Sequence, residues 1–351
     1  MAKERIQYFD ILKGVAIFLV VMGHVIAICI RDIDNAFLFK LIDRIHMPIF
    51  FFIAGYFSYK ALFKAPDIKK RAIQLLIPFF VVSALWVVYY PHSGLQSPLS
   101  TTFSGMYHDV WKNGYWFTLV LFEICLIYAL STFVLRKLGN FWLRLMFIIV
   151  VWIGLYFSQR LVGHNVAVLL SLGFVVKFYP VFFLGVFMRE RDDVFKRLNA
   201  SSTFFTIVLI IGAYLMYMSA YSWEFDCIGE RTLLAINTAL TMCVALFSVR
   251  LAQVWSGKVY RVSPDGNRIA RMWTYLGKES LAIYLLHYFF LFPLTFMQQP
   301  MRDMGLGFVP CLVVSMVVAA AIVAVTLGAN YIISQCKLLS LLFTGKNQYG
   351  K

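Results

Sequence analysis

Ten apolar runs, each about as long as a bilayer-spanning helix of some 20 residues, dominate this sequence and restrict what it can become. They cover roughly residues 8–30, 46–63, 72–91, 114–135, 141–159, 165–188, 203–221, 231–254, 274–297 and 306–334. A segment of that length in lipid satisfies its backbone groups only as a helix. The expected fold is therefore all-α, a polytopic membrane protein of about ten transmembrane helices. The run at 165–188 holds Lys177 and Pro180 and is expected to be bent or broken. Of the 351 residues, 61% are hydrophobic and 14% charged, which excludes a disordered chain and an ordinary cytosolic enzyme.

The net charge is +15. In a soluble domain that excess would raise nucleic-acid binding, but here its placement explains it. With the amino terminus taken as cytoplasmic, 24 of the 32 Lys and Arg residues fall in inside segments and 7 in outside segments. Lys177 lies within a helix. This bias predicts that both termini are cytoplasmic. The first run follows the basic stretch Met1–Arg5 but is too long for a signal-peptide core, so a retained anchor is expected. The six cysteines (29, 125, 227, 243, 311, 336) lack metal-ligand spacing, and no metal is expected. With no repeat and no appended soluble domain, residues 1–351 read as one integral-membrane domain.

Ionisable residues inside spanning helices are costly and so mark candidate functional positions. Lys13 and His24 are eleven residues apart in the first run. Eleven steps of about 100° return both side chains to one face, separated by about 16 Å along the axis. His46 stands beside Pro48 at the start of the second run, where an interfacial cap and a functional role fit equally. Arg71 ends the Lys69-Lys70-Arg71 cluster, which suits lipid headgroups or an inward-facing site. Glu123 lies about 12 Å below the outer surface and needs a partner, for which His24 and His46 are at matching depth. Ser280, Tyr284 and His287 recur at i, i+4 and i+7, a polar stripe facing a partner helix or a cavity. Asp10 is a further pore-lining candidate. Lys13, Arg71 and Lys177 make the inner half cationic, which suits a phosphorylated cytoplasmic ligand. His24, His46 and Glu123 lie further out, and a His–carboxylate pair suits acid/base work on a hydroxyl.

FDILKGVAIFLVVMGH, RIHMPIFFFIAGYF, KKRAIQLLIPF, NGYWFTLVLFE, KFYPVFFLGVFMRE and YLGKESLAIYLLHYFF occur in this order. Together they resemble the membrane-bound acyltransferase-3 family of bacterial surface-sugar O-acyltransferases, over roughly residues 6 to 340. The resemblance implies a multi-pass enzyme of the bacterial inner membrane. Such an enzyme moves an acyl group, most often acetyl, from cytoplasmic acetyl-CoA or another acyl-CoA to a hydroxyl of a glycan or lipid-linked sugar. By analogy His24 is the catalytic histidine, Lys13 stands where the family more often has arginine, and Arg71 helps hold the coenzyme. Lysine keeps the charge but not the bidentate fork. Two mechanisms stay open: His24 as general base with Glu123 or another carboxylate orienting it, or transient acylation of His24. A transporter or flippase for an anionic sugar or lipid is the competing class. It lacks a matching pair of broken segments and gives no reason for the Lys13–His24 spacing.

Overall fold

The computed structural model describes residues 7–30, 37–60, 63–95, 99–225, 229–262, 267–305 and 307–346. The basic stretch Met1–Arg5, Arg31, residues 226–228 with Cys227, and Lys351 lie outside them. Among the described residues every regular element is helical. The principal helices are α1 (Gln7–His24), α2 (Phe37–Ser58), α3 (Ala65–Tyr89), α4 (Trp116–Leu135), α5 (Phe141–Leu161), α6 (Leu172–Glu190), α7 (Ser202–Phe225), α8 (Glu230–Val262), α9 (Arg268–Lys278), α10 (Ser280–Leu286), α11 (Phe308–Ser334) and α12 (Lys337–Thr344).

Eight of the ten expected segments are helices long and apolar enough to cross a membrane, so this is a multi-pass membrane protein. The other two depart from the straight-span expectation for physical reasons. The second is α2, which starts at Phe37 and carries Lys40, Asp43, Arg44 and His46 in its first half. His46 therefore sits within a helix and not at its start. The ninth is a broken span: residues Ser280–Phe290 and Thr295–Asp303 are bent by 87° to one another. Pro293 accounts for the break, because it removes a donor and pushes the preceding residue out of the helical region. At the sixth segment, α6 runs through Pro180 uninterrupted. The break falls earlier, at Ser171, whose φ is 48°.

The described chain forms two compact units. The first comprises residues up to Ala16, Arg44–Tyr59 and Val176–Lys278. Its helices meet backbone to backbone at glycines. A Cβ on Gly55 would lie 1.9 Å from the Phe182 carbonyl oxygen, and one on Gly185 would lie 2.1 Å from that of Phe52. Gly14 and Gly277 make the same reciprocal contact against Trp273 and Asp10. Small residues let membrane helices approach closely where no hydrophobic gradient drives them together. Phe51 stacks on Phe178 with ring centroids 4.5 Å apart. Between α7 and α8, with Ile45, lies an apolar cavity of about 220 Å³.

The second unit comprises Ile17–Asp43, Lys60–Val175 and Glu279–Lys351. Here polar side chains clamp backbone. The Tyr128 hydroxyl accepts from Lys60 N–H and donates to Lys60 C=O, both at 3.1 Å. Lys112 and Asn113 are buried with φ of 50° and 51°, a left-handed turn that only tertiary contacts sustain. Asn113 exchanges hydrogen bonds with the Ser100 backbone. Lys112 donates to the carbonyls of Tyr107, Asp109 and Val168, each at 2.8 Å.

Candidate active site

Two interruptions of helical backbone lie in the second unit. α1 ends at His24, and the chain continues as a π-turn over Val25–Ile30. α10 ends at Leu286, and the chain tightens into a 3-10 turn over His287–Phe290. Leu291 is then extended, and the Leu294 N–H donates to the Cys29 carbonyl at 2.7 Å. That bond ties the two irregular segments together. Non-helical backbone at membrane depth is tolerated where protein satisfies its polar groups, and π-turns recur at functional sites.

The junction carries two imidazoles and a phenol. Nδ1 of His24 is 2.8 Å from Nε2 of His287, and the rings are parallel within 5°. Nδ1 of His287 is 2.8 Å from the Ile283 carbonyl oxygen. The Tyr288 hydroxyl is 3.0 Å from Nε2 of His24. His287 and Tyr288 are buried, while His24 is half-buried.

These contacts order the hydrogens. A carbonyl only accepts, so His287 carries its hydrogen on Nδ1. A buried imidazole between a carbonyl and another imidazole is neutral, which leaves the lone pair on Nε2. His24 therefore donates from Nδ1 and keeps a lone pair on Nε2, to which Tyr288 donates. The arrangement can accept a proton from a hydroxyl placed where the phenol now points.

The turn before α4 shapes this pocket. Gly114 has φ of 95°, and a Cβ there would lie 1.7 Å from the Tyr288 hydroxyl. The Tyr284 hydroxyl donates to Gly114 C=O at 2.8 Å and accepts from Phe117 N–H at 3.2 Å. The Tyr115 hydroxyl donates to Leu285 C=O at 3.3 Å. Trp86 and Tyr115 pack against the Tyr288 ring, with centroids 5.6 and 5.0 Å away. The NGYWF segment and the YLLHY segment are thus locked together.

Among the sequence-derived candidates, the second unit holds His24, Arg71, Glu123, Ser280, Tyr284 and His287, and the first holds Asp10, Lys13, His46 and Lys177. His24, Tyr284 and His287 come together as described. Ser280 opens α10 half-buried, with its side chain outside that network. Glu123, the expected orienting carboxylate, is half-buried on α4, and its Oε2 has no hydrogen-bond partner among the described residues. The position expected for a carboxylate at His24 Nδ1 is held by His287.

Lys112 outside the span feels Glu123. Burial pushes the Lys112 pKa down, while the charges of Asp109 and Glu123 push it up. Lys13 pairs with the buried Asp10 at 2.8 Å, three residues back on α1. Lys177 stands over the Phe178 ring, 5.2 Å from its centroid. Arg71 is half-buried near the start of α3, and His46 half-buried within α2. The five described cysteines are free thiols. Among the described residues no three His, Cys, Asp or Glu side chains gather as a metal site.

Sequence reasoning missed Tyr288 and Lys112. Tyr288 falls at i+4 from Tyr284, the spacing that singled out the stripe, but it was eclipsed by the adjacent His287. Lys112 gave no signal, because a lone cation in a connecting segment reads as solvated.

A family profile described as an acyltransferase domain matches residues 6–327. The nodulation protein NolL of Sinorhizobium fredii is 34% identical over 125 residues, which is 31% of this chain and 34% of that protein. NolL of Mesorhizobium japonicum is 33% identical over 140 residues, 36% of each chain. The match thus spans about a third of the length of these relatives. No solved structure matches the chain.

Proposed function

We propose that this chain, which belongs to the acyltransferase domain family whose profile covers residues 6–327, is a membrane O-acyltransferase that moves an acetyl group from cytoplasmic acetyl-CoA to a sugar hydroxyl of a cell-envelope glycan or lipid-linked sugar. The observation that carries the reading is His24, whose Nδ1 lies 2.8 Å from His287 Nε2 and whose Nε2 lies 3.0 Å from the Tyr288 hydroxyl oxygen. In the proposed reaction the acceptor hydroxyl takes the place of the Tyr288 phenol at Nε2. His24 removes its proton as the oxygen attacks the thioester carbonyl. The new C–O bond forms, the C–S bond breaks, and the proton passes from His24 to the departing coenzyme A thiolate.

Cationic Lys13, Arg71 and Lys177 support an anionic donor on the inner side, with both termini in the cytoplasm of a bacterial inner-membrane protein. The Asp10 ion pair qualifies Lys13 in one respect. Its ammonium is already partly neutralised, so the pair presents a dipole rather than a bare cation. The hydrogen-bonded Nε2 favours general-base catalysis over acylation of His24, since a base needs its lone pair aimed at a hydroxyl.

The reading is tested by expressing wild type and His24→Ala in cells deleted for the gene and measuring ester-linked acetate on the envelope glycans. Detergent-purified protein is assayed in parallel for acetyl-CoA consumption. Wild type restores acetylation and His24→Ala leaves it absent. Full restoration by His24→Ala removes the reading.

A further inference from the structure

We propose that His287 is the positioning residue for His24, a neutral imidazole that selects one tautomer of the base where a carboxylate would otherwise stand. The inference rests on the acyltransferase reading above and specifies how its base is held. It starts from a chain of three acceptors: Ile283 C=O receives from His287 Nδ1, His287 Nε2 receives from His24 Nδ1, and His24 Nε2 receives from Tyr288. Each link fixes the next, because an imidazole that donates from one nitrogen accepts at the other. The direction of the whole chain is therefore set by one backbone carbonyl, which cannot reverse.

A neutral partner suits this location. A carboxylate at membrane depth is costly unless paired, and His287 is fully buried among Ile283, Tyr284 and Tyr288. The Ile283 carbonyl accepts the His287 backbone N–H at the end of α10 and takes the ring Nδ1 hydrogen on its second lone pair. At the end of α10 His287 thus holds a main-chain oxygen with one ring nitrogen and faces His24 with the other.

His287 touches neither the acyl donor nor the acceptor in this scheme, so its loss acts through His24. In His287→Ala the Nδ1 partner is gone and both His24 tautomers become accessible. The variant is expected to lose kcat about 100-fold or more while the KM for acetyl-CoA stays near that of wild type. His287→Gln places an amide acceptor near the position of Nε2 and is expected to recover much of that loss. Nitrogen-15 NMR of histidine-labelled wild type in detergent reads the tautomer directly. The His24 signals, assigned by their absence in His24→Ala, should report a protonated Nδ1 and an unprotonated Nε2.

Several outcomes overturn the proposal: an Nε2–H tautomer of His24 in wild type, full turnover in His287→Ala, or His287→Gln as inactive as His287→Ala although folded. The tautomer measurement stands even if His287→Ala fails to fold. Failure of the acyltransferase reading is separate. It shows as an active His24→Ala or an inactive wild type, whatever tautomer His24 adopts.

Discussion

The two compact units differ in how the contacts singled out above are made. In the first, helices touch through glycines, and α2 meets α6 with main chain against main chain at Gly55 and Gly185. Arg189, Asp192 and Lys196 of this unit pair near helix ends. In the second, hydroxyls, imidazoles and one ammonium reach main-chain carbonyls, and the charge on Lys112 is fully buried. Close contact of bare backbone gives a rigid scaffold at those crossings. Side chains bound to carbonyls give a framework whose members are ionisable or polar, and one of them is the candidate base.

The scaffold side of the comparison breaks most completely at Gly185. A leucine there would drive its Cβ to 2.1 Å from the Phe52 carbonyl oxygen and 2.8 Å from the Tyr56 nitrogen. Both neighbours are main chain, so no rotamer change relieves the clash and α2 must separate from α6. Overpacking typically costs about 1–3 kcal/mol, and a main-chain clash belongs at or beyond the upper end. Gly185→Leu is expected to abolish the monodisperse peak on size-exclusion chromatography in detergent. A variant that folds with unchanged Tm would show that the helix contact tolerates separation.

On the polar side the largest effect is at Lys112. Lys112→Met keeps the length and removes the ammonium, leaving the carbonyls of Tyr107, Asp109 and Val168 without that donor. Buried groups stripped of a partner cost about 1–3 kcal/mol each, so a loss of roughly 3 kcal/mol is expected. It is read as a lower Tm. The pH dependence has a defined sign. Burial holds the Lys112 pKa below its ordinary value, so the unfolded chain binds more protons over the interval between the two values. Wild-type stability rises with pH across that interval. Lys112→Met lacks this rise, and the gap between the two proteins widens as the pH climbs towards the ordinary lysine value. A gap that narrows would mean the ammonium is not desolvated.

How much of this was legible in the sequence depends on the kind of interaction. Apolar run length located the eight helices long and apolar enough to span and the broken ninth segment, since hydropathy is a local property, but it misplaced the start of the second. It could not place the breaks at Ser171 and after Phe290, because a left-handed serine and a 3-10 turn ending in extended backbone persist only where distant groups satisfy them. The site divides the same way. His24, Tyr284 and His287 stood out as polar residues in apolar helices. The partner of His24 was expected to be Glu123 because depth was counted along straight helices. The ninth segment is bent by 87°, so counting along it does not give depth. A residue drawn from the far end of the chain holds Nδ1 instead.

The smallest expected effect tests the paired charges of the first unit. Asp192 accepts from Tyr56 at 3.2 Å and pairs with Lys196 at 2.8 Å, and Arg189 stands over the Tyr56 ring. The Lys196 hydrogen bond, against the opposing effect of burial, holds the Asp192 pKa below its ordinary value. A depressed carboxylate contributes stability that is present above the unfolded pKa and disappears as pH falls through the folded one. Both side chains of the ion pair are substantially exposed, and solvent and salt screen such pairs strongly. Asp192→Asn should therefore lower Tm slightly at neutral pH, by less than either substitution above, and the difference should shrink in high salt. It should vanish once acid protonates Asp192 in the wild type as well. A large, salt-insensitive loss would instead place Asp192 with the buried polar groups, and the distinction between the two units would fail at this point.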